Sequence, residues 1–501
     1  MSDRADVGEE SKRYRVEPPE EGRGILMSKP QTRKETQSRG ASEHRKLARN
    51  SSGVLLAMIV ANVALMGTSI MTSRLLGPKG RGQLYDTAQV TTWLVVLGGL
   101  GLGTAATYFT ARGERPRSIV LGNSVLLGLV FGSAIVGGGY GVIALGGVTM
   151  HKVPASYLLI AILAVPFALV LGNVQSVYLG SQRFREFIQI TVGLTALPLL
   201  LIGVALLAFG GGARAAIIAS ALSTATLAVV FLVRAIRILG ISWRLERAYF
   251  KTATSYGLRI QVATVLTLLG YRQDVFVVNH YKGPGAVGIY AAAVAVAESL
   301  WMLSQAVSYA LFPRIAEEKD ENVRRSITPL LARNTLWLTT AAAAILFLLS
   351  GPIISILYSG AFAAAAGAMR ALLLGIVAFS GARVLSNDIA ARGRPGLNSW
   401  IAGMSVVVNL GINLALVPRF GINGAAWAST ISYSLLFAAT VAVYCRISRT
   451  SVRSVIVPSR EDAAAYYRLV RRLLKHPVTQ DSAALAAAAA ASAADAERSE
   501  S

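Results

Sequence analysis

An all-α polytopic membrane protein of about twelve transmembrane helices, arranged as two six-helix repeats, is the fold class this sequence predicts. Three observations predict it. The 501 residues are 53% hydrophobic and 15% charged, with a mean hydropathy of +0.52, too apolar for a soluble chain with a charged surface. Apolar runs of the ~20 residues that cross a bilayer follow one another from Ser52 to Tyr444. Short sequences in the first half also recur in order in the second.

The chain divides into an amino-terminal tail (1–50), a first lobe (51–240), a second lobe (241–450) and a carboxy-terminal tail (451–501). The first tail mixes acids and bases without an apolar period, so a solvated, disordered segment is expected. It shows no charged n-region followed by an apolar run and a cleavage site, so no signal peptide is expected, and Met27 is an alternative start. Expected spans run from Ser52 to Arg74, Ala88 to Phe109, Ser118 to Gly146, Tyr157 to Tyr178, Phe187 to Phe209 and Ala213 to Val233. Those of the second lobe run from Ser255 to Asn279, Ala286 to Phe312, Ile327 to Leu349, Ala364 to Ala390, Ser399 to Val417 and Ile422 to Tyr444. In the second tail, Tyr466, Leu469, Val470, Leu473 and Leu474 follow the helical period between basic residues. That pattern suits a helix on anionic lipid, or a solvated helix with a small apolar face. The Ala-rich run Ala483 to Ala494 favours helix but has no core to join.

Loop charges set orientation. Arginines and lysines cluster in alternate connections, among them Arg112, Arg115 and Arg117, Arg183 and Arg185, and Arg392 and Arg394, which predicts a multi-pass protein of the cell membrane with both termini cytoplasmic. Arg74, Lys79 and Arg81 dissent, falling on the predicted outer side. The formal charge of +23 is accounted for by these flanks and tails, so nucleic acid is not an expected partner. A single cysteine, Cys445, and four scattered histidines argue against redox chemistry and a metal site. No GxxxxGK[ST] sequence supports an internal ATPase, and Gly101-x-Gly103 lies inside an apolar span rather than at a strand-to-helix turn.

The repeats rest on Gly77-Pro78-x-x-x-Gly82 against Gly283-Pro284-x-x-x-Gly288. Phe209-Gly210 with Ala219-Ser220-x-Leu222-Ser223 likewise matches Phe420-Gly421 with Ala428-Ser429-x-Ile431-Ser432. The hairpin from Ser255 to Arg314 stands out because its apolar spans hold Arg259, Arg272, Asp274 and Glu298. Charges there are costly and mark a substrate or ion pathway; the competing reading is that they pair to hold spans seven and eight together, or snorkel. Arg383 and Asp388 form a second candidate pair, read as structural, although five positions suit a direct helix-surface bridge poorly. Arg333 and Arg370 are expected to snorkel, and Asn62, Asn173, Asn409 and Asn413 to bond between helices or face a cavity.

Three stretches carry a family resemblance: RLLGPKGRGQLYDTAQVTTWLVVLGGLGLG, YRQDVFVVNHYKGPGAVGIYAAAVAVAESLW with LFPRIAEE, and FGINGAAWASTIS. From about Ser52 to Arg446 the chain resembles the polysaccharide or oligosaccharide flippases of the multidrug/oligosaccharidyl-lipid/polysaccharide exporter superfamily. The resemblance implies two six-helix lobes around a central cavity, lined by spans one, two, seven and eight and opening alternately to each side. It implies a polyprenyl-phosphate-linked glycan as cargo, with membrane lipids and envelope glycan assembly proteins as partners. Asp274, Gly283, Gly288 and Tyr290 fall on positions that match the family, whereas Val275 stands where relatives often place a basic residue.

The resulting expectation is a secondary transporter and not an enzyme, with no cofactor beyond coupling to H+ or Na+. Arg259 and Arg272 would attract the cargo's phosphates, and Asp274 or Glu298 would take the coupling ion. Alternatives are a multidrug or cation antiporter, disfavoured by the intramembrane arginines, and a lipid II flippase, which typically adds two further spans. A membrane glycan polymerase, for which the outer connections are short, and a scaffold for envelope assembly are the readings from other classes.

Overall fold

The computed structural model describes residues 33–145, 152–302, 304–305 and 321–458. Most of the amino-terminal tail, the last part of the expected eighth span, the basic amphipathic segment and the Ala-rich run lie outside them. Among the described residues the regular structure is helical: α1 (Arg33–Gly99), α2 (Leu102–Arg112), α3 (Arg117–Ala144), α4 (Ala155–Leu163), α5 (Val165–Gly180), α6 (Phe184–Leu207) and α7 (Gly212–Leu239). Then come α8 (Arg247–Lys282), α9 (Pro284–Glu298), α10 (Glu321–Leu348), α11 (Ser350–Tyr358), α12 (Ala365–Ala391), α13 (Pro395–Phe420), α14 (Ile422–Ser448) and the short α15 (Val452–Ile456). The stretch from Arg33, expected to be part of a solvated tail, is helical. The chain divides at Ser52 into two units, and the membrane bundle belongs to the second, Gly53–Ser501.

Nine helices among the described residues are long and apolar enough to cross a membrane, which makes this a multi-pass membrane protein. The expectation was twelve, and the difference has physical sources. Expected span one and the first part of span two form a single helical run, Leu56–Gly99, broken at Gly77 (φ 64°, ψ −177°) before Pro78, and the rest of span two falls in α2 after a second break at Leu100 and Gly101. Expected span seven is the 36-residue α8, long enough at about 1.5 Å per residue but made less apolar by its own charges. Expected span eight is described as the 15-residue α9 and a short continuation.

Packing largely sorts by half. Leu102, Val120, Val174, Tyr178, Ile190 and Phe231 share one core, and Val275, Tyr290, Tyr358, Met369 and Phe379 another. Two segments cross between them. Met66, Ile70 and Tyr85 of α1 pack on the second core, while Tyr249 and Ala253 of α8 join the first. Lipid gives little hydrophobic drive for helix association, so close approach of small residues matters more. At Gly375 of α12 an added Cβ would lie 2.7 Å from Cα of Thr430 on α14, and Thr430 Oγ1 donates to the Ala371 carbonyl at 2.6 Å.

Candidate functional site

The two Gly-Pro turns adopt the same backbone. Gly77 sits at φ 64°, ψ −177° and Gly283 at φ 79°, ψ 178°, a region open in practice only to glycine, and a proline begins the next helical limb after each. The turns dock reciprocally: a Cβ at Gly82 would lie 1.6 Å from the Pro284 carbonyl oxygen, and one at Gly288 would lie 2.0 Å from that of Pro78. Near the other end of α8 the geometry repeats with different residues. A Cβ at Gly101 would stand 2.2 Å from the Gly257 carbonyl oxygen, and one at Gly257 2.5 Å from that of Leu100. Gly257 and Lys282 are about 38 Å apart along α8, so backbone-to-backbone seals lie toward opposite ends of the bundle.

Between them lies a cleft of about 520 Å³, lined from α1 by Asn62, Met66, Ser69, Arg81 and Tyr85 and from α8 and α9 by Arg272 and Glu298. Arg272 holds Glu298 in a two-pronged ion pair, Nη1 to Oε1 at 2.7 Å and Nη2 to Oε2 at 2.8 Å. Both side chains are mostly buried, 23% and 20% exposed. A fork of this kind is the strong form of a charge-assisted contact and leaves little net charge on either group.

Arg81 differs. It is 8% exposed, its Nη2 donates to Ser69 Oγ at 3.2 Å, its guanidinium lies 5.5 Å from the Tyr85 ring, and its Nε has no hydrogen-bond partner among the described residues. Although both lie close to the first turn in sequence, the structure places Arg81 in the cleft and Asp86 fully buried, accepting from Asn279 Nδ2 at 2.7 Å. A sequence signal existed, since Arg81 breaks the loop-charge rule. Arg74 breaks it too and is equally occupied, its Nε donating to the Leu357 carbonyl at 2.9 Å.

Asp274 does not join Arg272. Residues two apart on a helix point in different directions, and Asp274 turns inward to accept from Tyr290 Oη at 2.5 Å, Val275 N at 2.8 Å and Ser429 Oγ at 3.3 Å. The space it shares with Arg272, Tyr290, Glu298 and Tyr433 is only about 10 Å³. Beside it Gln273 donates to Asn409 Oδ1 at 2.7 Å and to the Val406 carbonyl at 3.0 Å, tying α8 to α13, and within α13 Asn413 donates to the Asn409 carbonyl at 2.9 Å. Arg259 is exposed near the start of α8 and does not line the cleft, so the structure brings together Arg272, Glu298 and Asp274 but leaves Arg259 apart.

Other expected pairings change as well. Asp388 does not serve Arg383: it accepts from Arg392 Nε at 2.6 Å and Thr328 Oγ1 at 3.3 Å, because i,i+4 meets on a helix and i,i+5 does not. Arg392 also reaches Glu321 at 2.6 Å. Burial would raise the Glu321 carboxyl, but its bonds to Arg392 and the charges of Arg392 and Arg325 outweigh that and hold it below its ordinary value. Arg333 does not snorkel; it is 9% exposed, and its Nη1 donates to the Ser454 carbonyl at 2.8 Å. Arg370 is exposed and donates to Ser350 Oγ at 2.6 Å, while Asn173 bonds between helices as expected, to the Ser124 carbonyl of α3 at 2.8 Å, and Asn62, which lines the cleft as expected, donates to the Met58 carbonyl at 2.8 Å.

The family described as lipid II flippase MurJ matches residues 275–458, and the polysaccharide biosynthesis protein family matches residues 47–318. A probable low-salt glycan biosynthesis flippase of Haloferax volcanii, Agl15, is 26% identical over 39% of this chain and 43% of its own length. A membrane protein of Methanocaldococcus jannaschii is 25% identical over 38% of this chain and 39% of its own. The matches thus span less than half the length of these curated relatives. In fold, the chain is similar to the lipid II flippase MurJ in an inward closed conformation (TM-score 0.67, 14% identity, 80% of this chain and 88% of that one). It is also similar to an inward-facing multidrug resistance transporter of the MATE family (TM-score 0.61, 15% identity, 79% and 95%). With more than half of its 501 residues matched, the chain belongs to the polysaccharide biosynthesis protein family.

Proposed function

We propose that this protein is a secondary transporter that flips or exports a lipid-linked oligosaccharide or polysaccharide precursor across the cell membrane by alternating access. In this reading two lobes, 51–240 and 241–450, rock about the cleft with both termini cytoplasmic. The observation that carries it is the charged cleft between glycine seals that lie toward opposite ends of the bundle. A seal made of two touching backbones closes without side-chain rearrangement, so opening one end while the other stays shut needs only rigid tilting of the hairpins. The match to a polysaccharide biosynthesis family and to a glycan flippase supports the cargo class.

Within the cleft, Arg81 is the cation free to meet a phosphate, since the charge of Arg272 is already answered by Glu298. Arg272 contributes by exchange, giving up Glu298 when a phosphate arrives, and Arg259 attracts the cargo from outside the cleft. Asp274 is the coupling group. The ~10 Å³ beside it is at the lower limit for a single water, so a proton reaches it without displacing the tyrosines, whereas a hydrated sodium ion does not.

A flip assay tests the reading. The full chain in liposomes should move a fluorescent polyprenyl-pyrophosphate oligosaccharide to the leaflet reached by an added quencher, without lengthening it. Signal no greater than in protein-free liposomes would sink the flippase reading, and chain growth would turn it into a polymerase. The MurJ family match over residues 275–458 favours lipid II as a second cargo, and competition between the two labelled lipids separates them.

A further inference from the structure

A second cavity, of about 350 Å³, opens in the second half of the molecule among α8, α12, α13 and α14. Thr267, Arg383, Asn387, Asn398, Ser399 and Thr440 line it among apolar neighbours such as Leu266, Ile401 and Leu436. Arg383 is its only charged lining residue among the described residues, so no carboxylate there answers the guanidinium. The nearby carboxylate one helical turn on, Asp388, is engaged by Arg392 and Thr328. Instead the Arg383 guanidinium is wedged over two rings, 5.3 Å from the centroid of Phe379 and 5.7 Å from that of Trp301, and it sits beside the Tyr271 hydroxyl.

Two buried atoms on this wall have no hydrogen-bond partner among the described residues: Arg383 Nη1, a donor, and Asn398 Oδ1, an acceptor. The Asn398 amide is oriented by its other end, because Nδ2 donates to the Ser386 carbonyl at 2.8 Å. A half-buried cation with a buried, unpartnered Nη1 and no anion, and a buried carbonyl without a donor, each cost free energy, and both belong to one hollow. The first turn of α13 begins there at Pro395, and its amides add positive potential. Ala263, Thr267 and Pro395 are exposed, so the hollow is reached from the protein surface.

We infer that this cavity binds a phosphate that also carries a hydroxyl, the anionic oxygens meeting Arg383 and the hydroxyl meeting Asn398. Two sources share that chemistry: a glycerol-phosphate lipid headgroup and free inorganic phosphate. Trp301, beneath the Arg383 guanidinium, also lines the central cleft, so the two spaces share a wall, but the inference does not rest on the flippase reading.

Full-length protein stripped of lipid in detergent tests it with two probes, phosphatidylglycerol followed by native mass spectrometry and inorganic phosphate followed by calorimetric titration. Phosphatidylglycerol binding in preference to phosphatidylcholine supports a headgroup site. Binding of inorganic phosphate, with phosphatidylglycerol no better than phosphatidylcholine, supports a free-phosphate site. In either arm Arg383→Met, which keeps the length that packs between the rings, should bind at least about tenfold more weakly, as expected for loss of a charge-assisted contact. Asn398→Leu, which fills the hollow and leaves the cation in place, gives a second reading if the first variant does not fold. Arg214→Gln, an exposed cation that lines neither cavity, should bind as the parent does. The inference is overturned if neither probe binds the parent above phosphatidylcholine, if the folded Arg383 and Asn398 variants bind as tightly as the parent, or if Arg214→Gln loses as much as Arg383→Met.

Discussion

The two hairpins that face the cleft share a backbone and differ in charge. Both turn at a glycine of positive φ followed by proline, and both place a glycine where the other's proline carbonyl needs the room. Yet the second hairpin brings an arginine already matched by a glutamate, and the first an arginine matched by no carboxylate among the described residues. The difference teaches that two matching turns can share the contact that closes them while the polar residues around each differ. In the proposed function the phosphate contact expected of Arg272 is therefore shared with Arg81 of the first hairpin.

The symmetric part should break hardest. Gly82→Ala or Gly288→Ala puts a methyl into a backbone carbonyl, and each should cost on the order of 3 kcal/mol or more, read as a fall in thermal stability in detergent. An unchanged melting temperature for both would show that the turns do not rest on one another. Next comes the matched pair. Glu298→Ala leaves Arg272 largely buried without its anion and should destabilise by about 3 kcal/mol, whereas the double variant with Arg272→Met should recover much of that. Equal losses in the single and double variants would mean the pair is not coupled.

The unmatched charge is read by transport rather than stability. Arg81→Gln should lower the flip rate about tenfold while folding normally, with Arg81→Lys recovering part of it. A rate at the parent's level would return the phosphate contact to Arg272. Smallest is a pH effect away from the cleft. The Glu321 carboxyl lies below its ordinary value in the folded protein, so its contribution is present above the unfolded value of about 4.3 and is lost as pH falls through the lower folded value. Being 40% exposed, Glu321 should contribute no more than about 1 kcal/mol, seen as acid sensitivity that Glu321→Gln removes.

Apolar run length, loop charge and the recurrence of GPxxxG were legible in the chain because each depends on neighbours in sequence or on a short backbone rule. They sufficed for the helical membrane class and the matched Gly-Pro turns, and they drew out Arg272, Asp274 and Glu298, which the structure places around one small space. Partnership was not legible. Arg272 with Glu298, Asp388 with Arg392, Arg333 with the Ser454 carbonyl and Arg74 with the Leu357 carbonyl depend on helical phase or on which helix lies alongside, and a one-residue change of register rotates a side chain by about 100°. Arg81 shows the same limit from the other side: a charge beside a turn reads as solvated until a second turn docks against it and encloses the start of its helix.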